Sequence, residues 1–165
     1  MEMRERILEA ALRLYTSKPP QNVTTKEIAK AAGVSIGLVF HYFKSKDELE
    51  REGVSYFIEK HAFLEAKNVR EFVEKNLKFA KENPGIFRFL QYVFEKEKYA
   101  GSKDLALKVY EDGLKRLKNM LQVENPEKIA TLLMAMIDGL AMYSFFLDLD
   151  VEEFTDTIVG LIGCL

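Results

Sequence analysis

Three lysines and one histidine lie close together in the N-terminal third of the chain, at Lys26, His41, Lys44 and Lys46. Ammonium groups neutralise phosphate charges, and an imidazole can hydrogen-bond to polar groups such as base edges. This combination of residue types favours contact with a polyanion over bond-making chemistry. The simpler alternative is that the lysines are only solvated surface residues, and without a surrounding motif that alternative is preferred.

Catalytic and metal-binding patterns are sparse in comparison. The chain has two histidines, His41 and His61, and one cysteine, Cys164, so it contains no HxxxH or HExxH spacing and no cysteine pair. It also lacks a phosphate-binding GxxxxGK[ST] loop. We therefore predict no enzyme activity, no metal site and no cofactor. Cys164 is interpreted as a small apolar residue, with an intermolecular bridge or a redox sensor as alternatives.

Two short helices joined by a glycine-containing turn are predicted over about residues 24–43. Thr24 and Glu27 form a capping box that begins the first helix, and Gly33 suits the left-handed conformation in which that helix ends. Ser35 begins a second helix that runs to about Phe43. Helix-turn-helix proteins use this arrangement to place one helix in a DNA groove. A plain helical hairpin of an all-α domain is the alternative.

The same stretch resembles the tetracycline-repressor (TetR) family of transcriptional regulators. The resemblance rests on RERILEAALRLY, the string IAKAAGVS, the aromatic residues of HYF and the KSKDEL that follows, and it covers about the first 50 residues. It implies an N-terminal three-helix domain that binds DNA and a C-terminal helical part that binds a small effector and forms a dimer. Beyond residue 55 only the length, the helicity and an NP before an aromatic-rich helix are similar.

The resemblance, together with helical geometry, gives a set of candidate DNA contacts. Residues of the second helix would touch bases or backbone, while Lys46 and the hydroxyl or amide of Thr24 would bind phosphates. The candidates are Thr24, Thr25, Lys26, Ser35, Ile36, Gly37, Leu38, Phe40, His41, Tyr42, Lys44 and Lys46. Three depart from the family's usual residues, because Ile36, Leu38 and Phe40 stand where a polar residue, a Thr or Ser, and a Tyr are common.

The rest of the chain is predicted to be helical, which gives an all-α fold of about nine helices. The first helix ends before SKPP, and a long helix covers about residues 46–65. Asn83 and Asn125, each followed by proline, act as N-caps, and the final helix begins at Asp150.

We place the helix-turn-helix DNA-binding domain at residues 1–46 and an effector-binding and dimerisation domain at residues 47–165. A small effector is expected from the resemblance, and the Phe, Tyr and Met side chains of the second domain would permit an apolar or aromatic one without demonstrating a pocket. Weak candidates for effector contact are Phe57, Phe87, Tyr92, Tyr110 and Asp138.

The segment IATLLMAMIDGLAMYSFFL, residues 129–147, is the most apolar of the chain. Asp138 lies at its centre and an acidic DLDVEE follows, so a membrane span is rejected. A helix that is apolar all round in a soluble chain is buried on both sides. We therefore predict a homodimer through residues 126–147 and 151–165, as the resemblance also implies.

The composition is that of an ordinary soluble protein, with 48% hydrophobic and 30% charged residues and a formal net charge of −2. The first 50 residues carry eight Lys or Arg against seven Asp or Glu, so DNA binding would need cations concentrated on one face. No signal-peptide pattern opens the chain, and a cytoplasmic location is expected.

The resulting interpretation is a dimeric, sequence-specific DNA-binding transcriptional regulator, expected to be a repressor that a small molecule releases from a palindromic operator. One alternative is a DNA-binding protein of the same fold whose effector pocket has closed. The other is a helical interaction or ligand-carrier module of the same fold that has lost DNA binding.

Overall fold

The computed structural model describes residues 2–60, 66–144 and 146–163, and in those ranges the chain is helical without a strand. The described helices are α1 Met3–Ser17, α2 Thr25–Ala32, α3 Ile36–Tyr42, α4 Lys46–Lys60, α5 Val69–Glu82, α6 Pro84–Tyr99, α7 Asp104–Met120, α8 Pro126–Tyr143 and α9 Val151–Gly163, with a 3-10 turn at Pro20–Asn22. The predicted all-α fold of about nine helices is confirmed.

Side-chain caps begin α2, α3 and α4 where the sequence predicts them. Thr24 Oγ1 accepts a hydrogen bond from the Glu27 amide at 3.2 Å, and Glu27 Oε2 accepts one from the Thr24 amide at 2.9 Å. Ser35 Oγ accepts from the Leu38 amide at 3.1 Å, and Ser45 caps α4 in the same way. These bonds satisfy amides that the first turn of a helix leaves without partners, so short helices are held at fixed starting points.

The turn between α2 and α3 has the geometry that its glycine predicts. Gly33 has φ +63°, in the left-handed region that L side chains rarely adopt. The Val34 amide donates to the Ala29 carbonyl at 2.9 Å, and an Arg6 side-chain nitrogen lies 3.4 Å from the Gly33 carbonyl oxygen. The carbonyls that α2 leaves unpaired at its end are therefore satisfied locally and from α1.

Asn83 lies directly before α6, at the position where the sequence predicts an N-cap. Its side-chain nitrogen donates to the Phe79 carbonyl at 3.1 Å and completes the last turn of α5. This bond uses the nitrogen and leaves the side-chain oxygen as an acceptor, so the N-cap role stays a prediction. Asn125 does precede α8, but it has φ 54° and makes no side-chain cap hydrogen bond.

Two sequence predictions fall partly outside the described residues. The long helix expected over about residues 46–65 is seen as α4 up to Lys60, and residues 61–65, with His61, lie outside the described ranges. Cys164 also lies outside them.

The chain divides into two compact units, and unit 1 comprises Met1–Ala62 and Gly85–Leu105. In this unit α1 packs against α2 and α4, and α2 packs against α3. Fully buried apolar side chains from α1, α2, α3, α4 and α6 form its core; examples are Ile7, Leu8, Tyr15, Ile28, Val39, Leu49, Val54 and Phe89. Tyr15 stacks on Phe89 with ring centroids 4.5 Å apart, so α6 belongs to the same core as α1.

A glycine allows the first turn of α6 to lie directly against the end of α1. A Cβ added at Gly85 would lie 2.0 Å from the backbone oxygen of Thr16. An Arg88 side-chain nitrogen lies 3.4 Å from the same oxygen. The position therefore has no room for a side chain.

Unit 2 comprises Phe63–Pro84 and Ala106–Leu165, and in it α5 packs against α8 and α9. Its buried core contains Phe72, Val73, Leu77, Leu117, Ala130, Leu133, Ile137 and Ile158. Large apolar side chains of α8, α9 and the segment between them nevertheless remain exposed; they are Leu132, Met142, Tyr143, Phe146, Leu147 and Leu161. We call these six residues the α8–α9 apolar face. None of the described helices combines the length and the hydropathy needed to cross a membrane.

Candidate nucleic-acid interface

One side of helix α3 packs against the core of unit 1, and the other side is exposed to solvent. Val39 and Phe43 are buried and anchor it. Ile36, Gly37, Phe40 and His41 are exposed. At about 100° per residue these four positions cover a continuous arc of roughly 140° on the helix surface. We call them the outer arc of α3, and its convex exposed shape suits insertion into a groove.

The other predicted contacts on α3 border this arc. Leu38 is half-buried, and Tyr42 is exposed with its ring 5.3 Å from the His41 ring in an edge-on arrangement. The Ser35 hydroxyl accepts the Leu38 amide as the α3 cap. Ser35 therefore begins the helix, whatever else it contacts.

Three exposed lysines surround the helix-turn-helix without an ion-pair partner among the described residues. They are Lys26 and Lys30 on α2 and Lys44 after α3. The sequence analysis selected Lys26 and Lys44 but missed Lys30. The signal was available, because Lys30 follows Lys26 by four residues and such residues share a helix face.

Lys46 is engaged with the protein itself. Its ammonium lies 3.4 Å from Glu50 Oε1, and Glu50 is 1% exposed. The same ammonium lies 6.0 Å from the centre of the Tyr15 ring. A phosphate contact by Lys46, as the family resemblance suggests, would compete with these partners and stays a prediction.

The Thr24 hydroxyl and amide are likewise committed, since both bond to Glu27. Glu27 also forms an ion pair with Lys18 at 2.6 Å. The Lys18 ammonium and then the Thr24 donors hold the pKa of the Glu27 carboxyl at about 2. The Glu27 carboxylate thus already lies at the positive end of the α2 dipole. Exposed Lys26 forms no ion pair with it.

The buried carboxylate of Glu50 joins α1, α4 and α6 within unit 1. Its Oε1 accepts from the Tyr15 hydroxyl at 3.0 Å, and its Oε2 accepts from Lys96 Nζ at 2.5 Å. Lys96 also bonds to Asp47 Oδ1 at 2.5 Å. Burial and the adjacent Glu50 charge raise the pKa of the Tyr15 hydroxyl, which therefore stays a proton donor. This network fixes α4, the helix that directly follows α3 and its exposed arc.

A GxSxG nucleophile motif was not expected in this sequence, but residues 33–37, GVSIG, do fit its letters. The motif needs a serine on a tight turn from a strand to a helix. Ser35 instead follows a helix, α2, and its oxygen accepts the cap bond of α3. The match therefore lacks the structural context on which nucleophile activation depends.

Residues 7–52, which contain α2, α3 and most of α1, match the family model of the bacterial regulatory proteins of the tetR family. A solved transcriptional regulator from Rhodococcus sp. RHA1 superposes with a TM-score of 0.75 and 23% identity, over 96% of this chain and 95% of that one. The N-terminal domain of the chain therefore matches the tetR family, and the fold of the chain is that of solved transcriptional regulators. The resemblance inferred from the sequence is confirmed.

Other similar proteins extend the comparison. The nucleoid occlusion factor SlmA of Marinomonas sp. (strain MWYL1) is 34% identical over 100 residues, covering 54% of this chain and 50% of that protein. The chain spans about half the length of the curated relatives that it matches in this way. The fold is also similar to that of NalD, the secondary repressor of the MexAB-OprM multidrug efflux pump in Pseudomonas aeruginosa. The TM-score is 0.65 at 17% identity, and the match covers 98% of this chain and 94% of that one.

The predicted effector contacts lie in both units. In unit 1 Phe57 is buried, Phe87 is half-buried, and the half-buried Tyr92 ring lies 5.2 Å from the Lys96 ammonium. In unit 2 Tyr110 is half-buried and Asp138 is exposed, with partial loss of hydration raising the pKa of its carboxyl to about 6. All five stay candidates.

An open surface cavity of about 480 Å³ occurs in unit 1 beside α4, but it contains none of these effector candidates. Its lining residues are Ser45, Asp47, Glu48, Arg51, Glu52, Ser55 and Leu105. Most of its charged groups are already paired within unit 1: Asp47 with Lys96, Glu52 with Arg4, and Arg51 with Glu97.

Proposed function

We propose that this chain is a dimeric DNA-binding transcriptional regulator that inserts α3 into the major groove of a palindromic or near-palindromic operator. The observation that carries the proposal is the outer arc of α3, which is bare on a TetR-family helix-turn-helix and flanked by unpaired lysines. A helix presented in this way satisfies the geometric requirement for major-groove entry.

The α8–α9 apolar face supports self-association. Six large apolar side chains on α8, α9 and the segment between them form a kind of surface that soluble monomers seldom expose. A second copy would cover the same face through a two-fold axis, because the commonest homodimers are isologous. Two copies of α3 related in this way read half-sites about 34–36 Å apart, so symmetry in the operator follows from symmetry in the protein.

Repression and release by a small effector are the finer parts of the proposal. The name of the NalD neighbour describes a repressor, and its likeness to this chain is one of fold. Release requires an effector that binds the DNA-free conformation more tightly than the DNA-bound one. A ligand with equal affinity for both conformations does not shift the equilibrium between them. The decisive measurement is whether any apolar or aromatic compound lowers operator affinity.

The test of DNA binding uses the salt dependence of affinity for a random-sequence duplex. Each neutralised phosphate contributes about −0.9 to the slope of log K against log salt. Lys44→Gln should weaken binding to all sequences and flatten the slope by roughly 0.9 for each copy that contacts the duplex. Lys108→Gln is the matched control, because Lys108 is another exposed lysine, on α7. Equal slopes for the two variants would remove Lys44 from the interface.

Lys46→Gln tests the phosphate contact by Lys46 that the family resemblance implies. A phosphate contact would flatten the slope as for Lys44, whereas a purely internal role would leave the slope unchanged and lower the stability. The stability of the variant therefore has to be measured beside its DNA affinity.

The interaction or ligand-carrier alternative predicts no DNA affinity even at low ionic strength. A purified chain that remains monomeric at micromolar concentration and ignores genomic fragments would support that alternative. The name of the SlmA relative suggests a second candidate role, in nucleoid occlusion. For this chain, chromatin immunoprecipitation separates the two roles, because operator control predicts few occupied sites and a nucleoid role predicts many.

A further inference from the structure

The outer arc of α3 presents apolar side chains where a reader of base edges needs polar ones. Ile36 is 41% exposed and Phe40 is 48% exposed. They are four residues apart and thus adjacent on the helix surface. Of the four residues in the arc, His41 is the single one with a polar side chain.

The seven residues of α3, IGLVFHY, contain no Arg, Lys, Asn, Gln, Asp or Glu. The strong pairings in the major groove use Arg or Lys for guanine, Asn or Gln for adenine, and Asp or Glu for cytosine. None of these pairings is open to α3. Thymine alone among the four bases offers an apolar group in that groove, its C5 methyl.

Gly37 makes a close approach possible beside these two side chains. A Cβ added at Gly37 would meet no atom nearer than Ser35 Oγ at 3.9 Å, so the space outside the backbone is open. At Gly37 there is therefore no side chain that would keep the α3 backbone away from the floor of a groove. An approach of this kind is what short contacts from Ile36 and Phe40 to base methyls require.

We propose that Ile36 and Phe40 select thymine in each operator half-site through contact with C5-methyl groups. The proposal rests on the proposed function, and it names the base that the outer arc recognises. Readout of DNA shape alone is the competing explanation for a thymine-rich site, because A-tracts have a narrow minor groove.

Replacing thymine by deoxyuridine separates the two explanations. The exchange removes the methyl group and leaves every hydrogen-bonding group of the base in place. Half-sites are first obtained by selection from random DNA with the full-length chain, and each thymine is then exchanged singly. At the contacted positions we expect about a fourfold loss of affinity per methyl, which corresponds to roughly 0.8 kcal/mol for a buried group of that size.

Variants assign each methyl to its side chain. Ile36→Ala and Phe40→Ala should each abolish the deoxyuridine effect at one thymine and keep it at the other. Leu107→Ala is the matched control, because Leu107 is 40% exposed on α7, far from α3 in sequence. That variant should keep the full effect at both positions. A 5-methylcytosine at a contacted position should restore part of the affinity that unmodified cytosine loses.

Three results would overturn the proposal. The first is a selected half-site rich in guanine. The second is a thymine-rich half-site in which deoxyuridine changes nothing, which would favour shape readout and leave the proposed function standing. The third is an absence of DNA binding at low salt, which would overturn the proposed function together with this inference.

Discussion

Replacing Glu50 with alanine perturbs the most buried charged group of unit 1. The Glu50 side chain is 1% exposed, and its carboxylate accepts from Tyr15 at 3.0 Å and from Lys96 at 2.5 Å, with Lys46 at 3.4 Å. A carboxylate in such a place is tolerated because its partners replace the lost water. Its removal should therefore be felt in the stability of the whole unit.

The magnitude follows from what each partner can do afterwards. The Tyr15 hydroxyl is buried and loses its acceptor, which costs about 1–3 kcal/mol. One methylene group, that of Cγ, is also lost from the interior, at about 0.8 kcal/mol. The Lys46 and Lys96 side chains are 29% and 35% exposed, so their ammonium groups can turn to water and add little. We expect Glu50→Ala to lower the free energy of unfolding by about 3 kcal/mol, or the Tm by roughly 6–12 °C.

Urea denaturation followed by circular dichroism provides the assay, with the m-value as a check on the unfolding model. Tyr15→Phe alone should cost about 1 kcal/mol. The double variant should cost about 1–2 kcal/mol less than the sum, because no hydroxyl is then left without an acceptor. Glu52→Ala is the matched control on the same helix, since Glu52 pairs with Arg4 at the surface and should cost under about 1 kcal/mol.

Two outcomes would refute this reasoning. If Glu50→Ala cost no more than Glu52→Ala, the Glu50 carboxylate would be hydrated and not part of a buried network. If the effects of Glu50→Ala and Tyr15→Phe simply added, the 3.0 Å hydrogen bond between the two side chains would contribute nothing measurable.

Four further substitutions test other parts of the structure. Gly85→Ala places a Cβ 2.0 Å from a backbone oxygen of α1, so the better helix propensity of alanine is outweighed and urea denaturation should show a loss of about 2 kcal/mol. Thr155→Val removes a buried hydroxyl that has no hydrogen-bond partner among the described residues and should stabilise by about 1 kcal/mol, whereas Thr157→Val at an exposed position should change little. Folding lowers the pKa of Glu27 from about 4.5 to about 2. The ionised carboxylate therefore stabilises the fold above pH 4.5, and this stabilisation is lost as the pH falls towards 2. Glu27→Gln should flatten the acid side of a plot of Tm against pH. The pKa of Asp138 is raised to about 6, so its ionisation opposes folding as the pH rises from about 4 to 6, and Asp138→Asn should raise the Tm at pH 8 but not at pH 4.

Local signals made much of the helix-turn-helix predictable. The caps at Thr24, Ser35 and Ser45 depend on residues three positions away, so sequence alone contains both partners. The left-handed turn at Gly33 is local in the same sense. These features set where α3 begins.

Contacts between distant segments were not predictable in this way. Glu50 looks like any surface carboxylate of an amphipathic helix, because Tyr15 and Lys96 lie 35 and 46 residues away. The hydrogen bond from the Asn83 side chain to the Phe79 carbonyl was not predicted, because an Asn-Pro pair indicates a helix start and does not show that a carbonyl of the preceding helix lies within reach. The Lys46 partner was missed for a related reason. Its spacing to Glu50 is local, but the burial of Glu50 is a property of the tertiary structure.

The internal pairing of Lys46 and of the Thr24 donors bears on how the proposed interface would discriminate between sequences. Lys26, Lys30 and Lys44 are exposed lysines around the helix-turn-helix that have no ion-pair partner in the described part of the chain. With six such lysines in a dimer, complete phosphate contact corresponds to a salt slope of roughly −5. Phosphate contacts strengthen binding to every sequence equally, so a small number of them keeps nonspecific affinity low. Under the proposed function, the contacts of the outer arc of α3 are then what mainly distinguishes the operator from the rest of the chromosome. Weak apolar contacts suffice for this, because the nonspecific affinity that they must exceed is itself low.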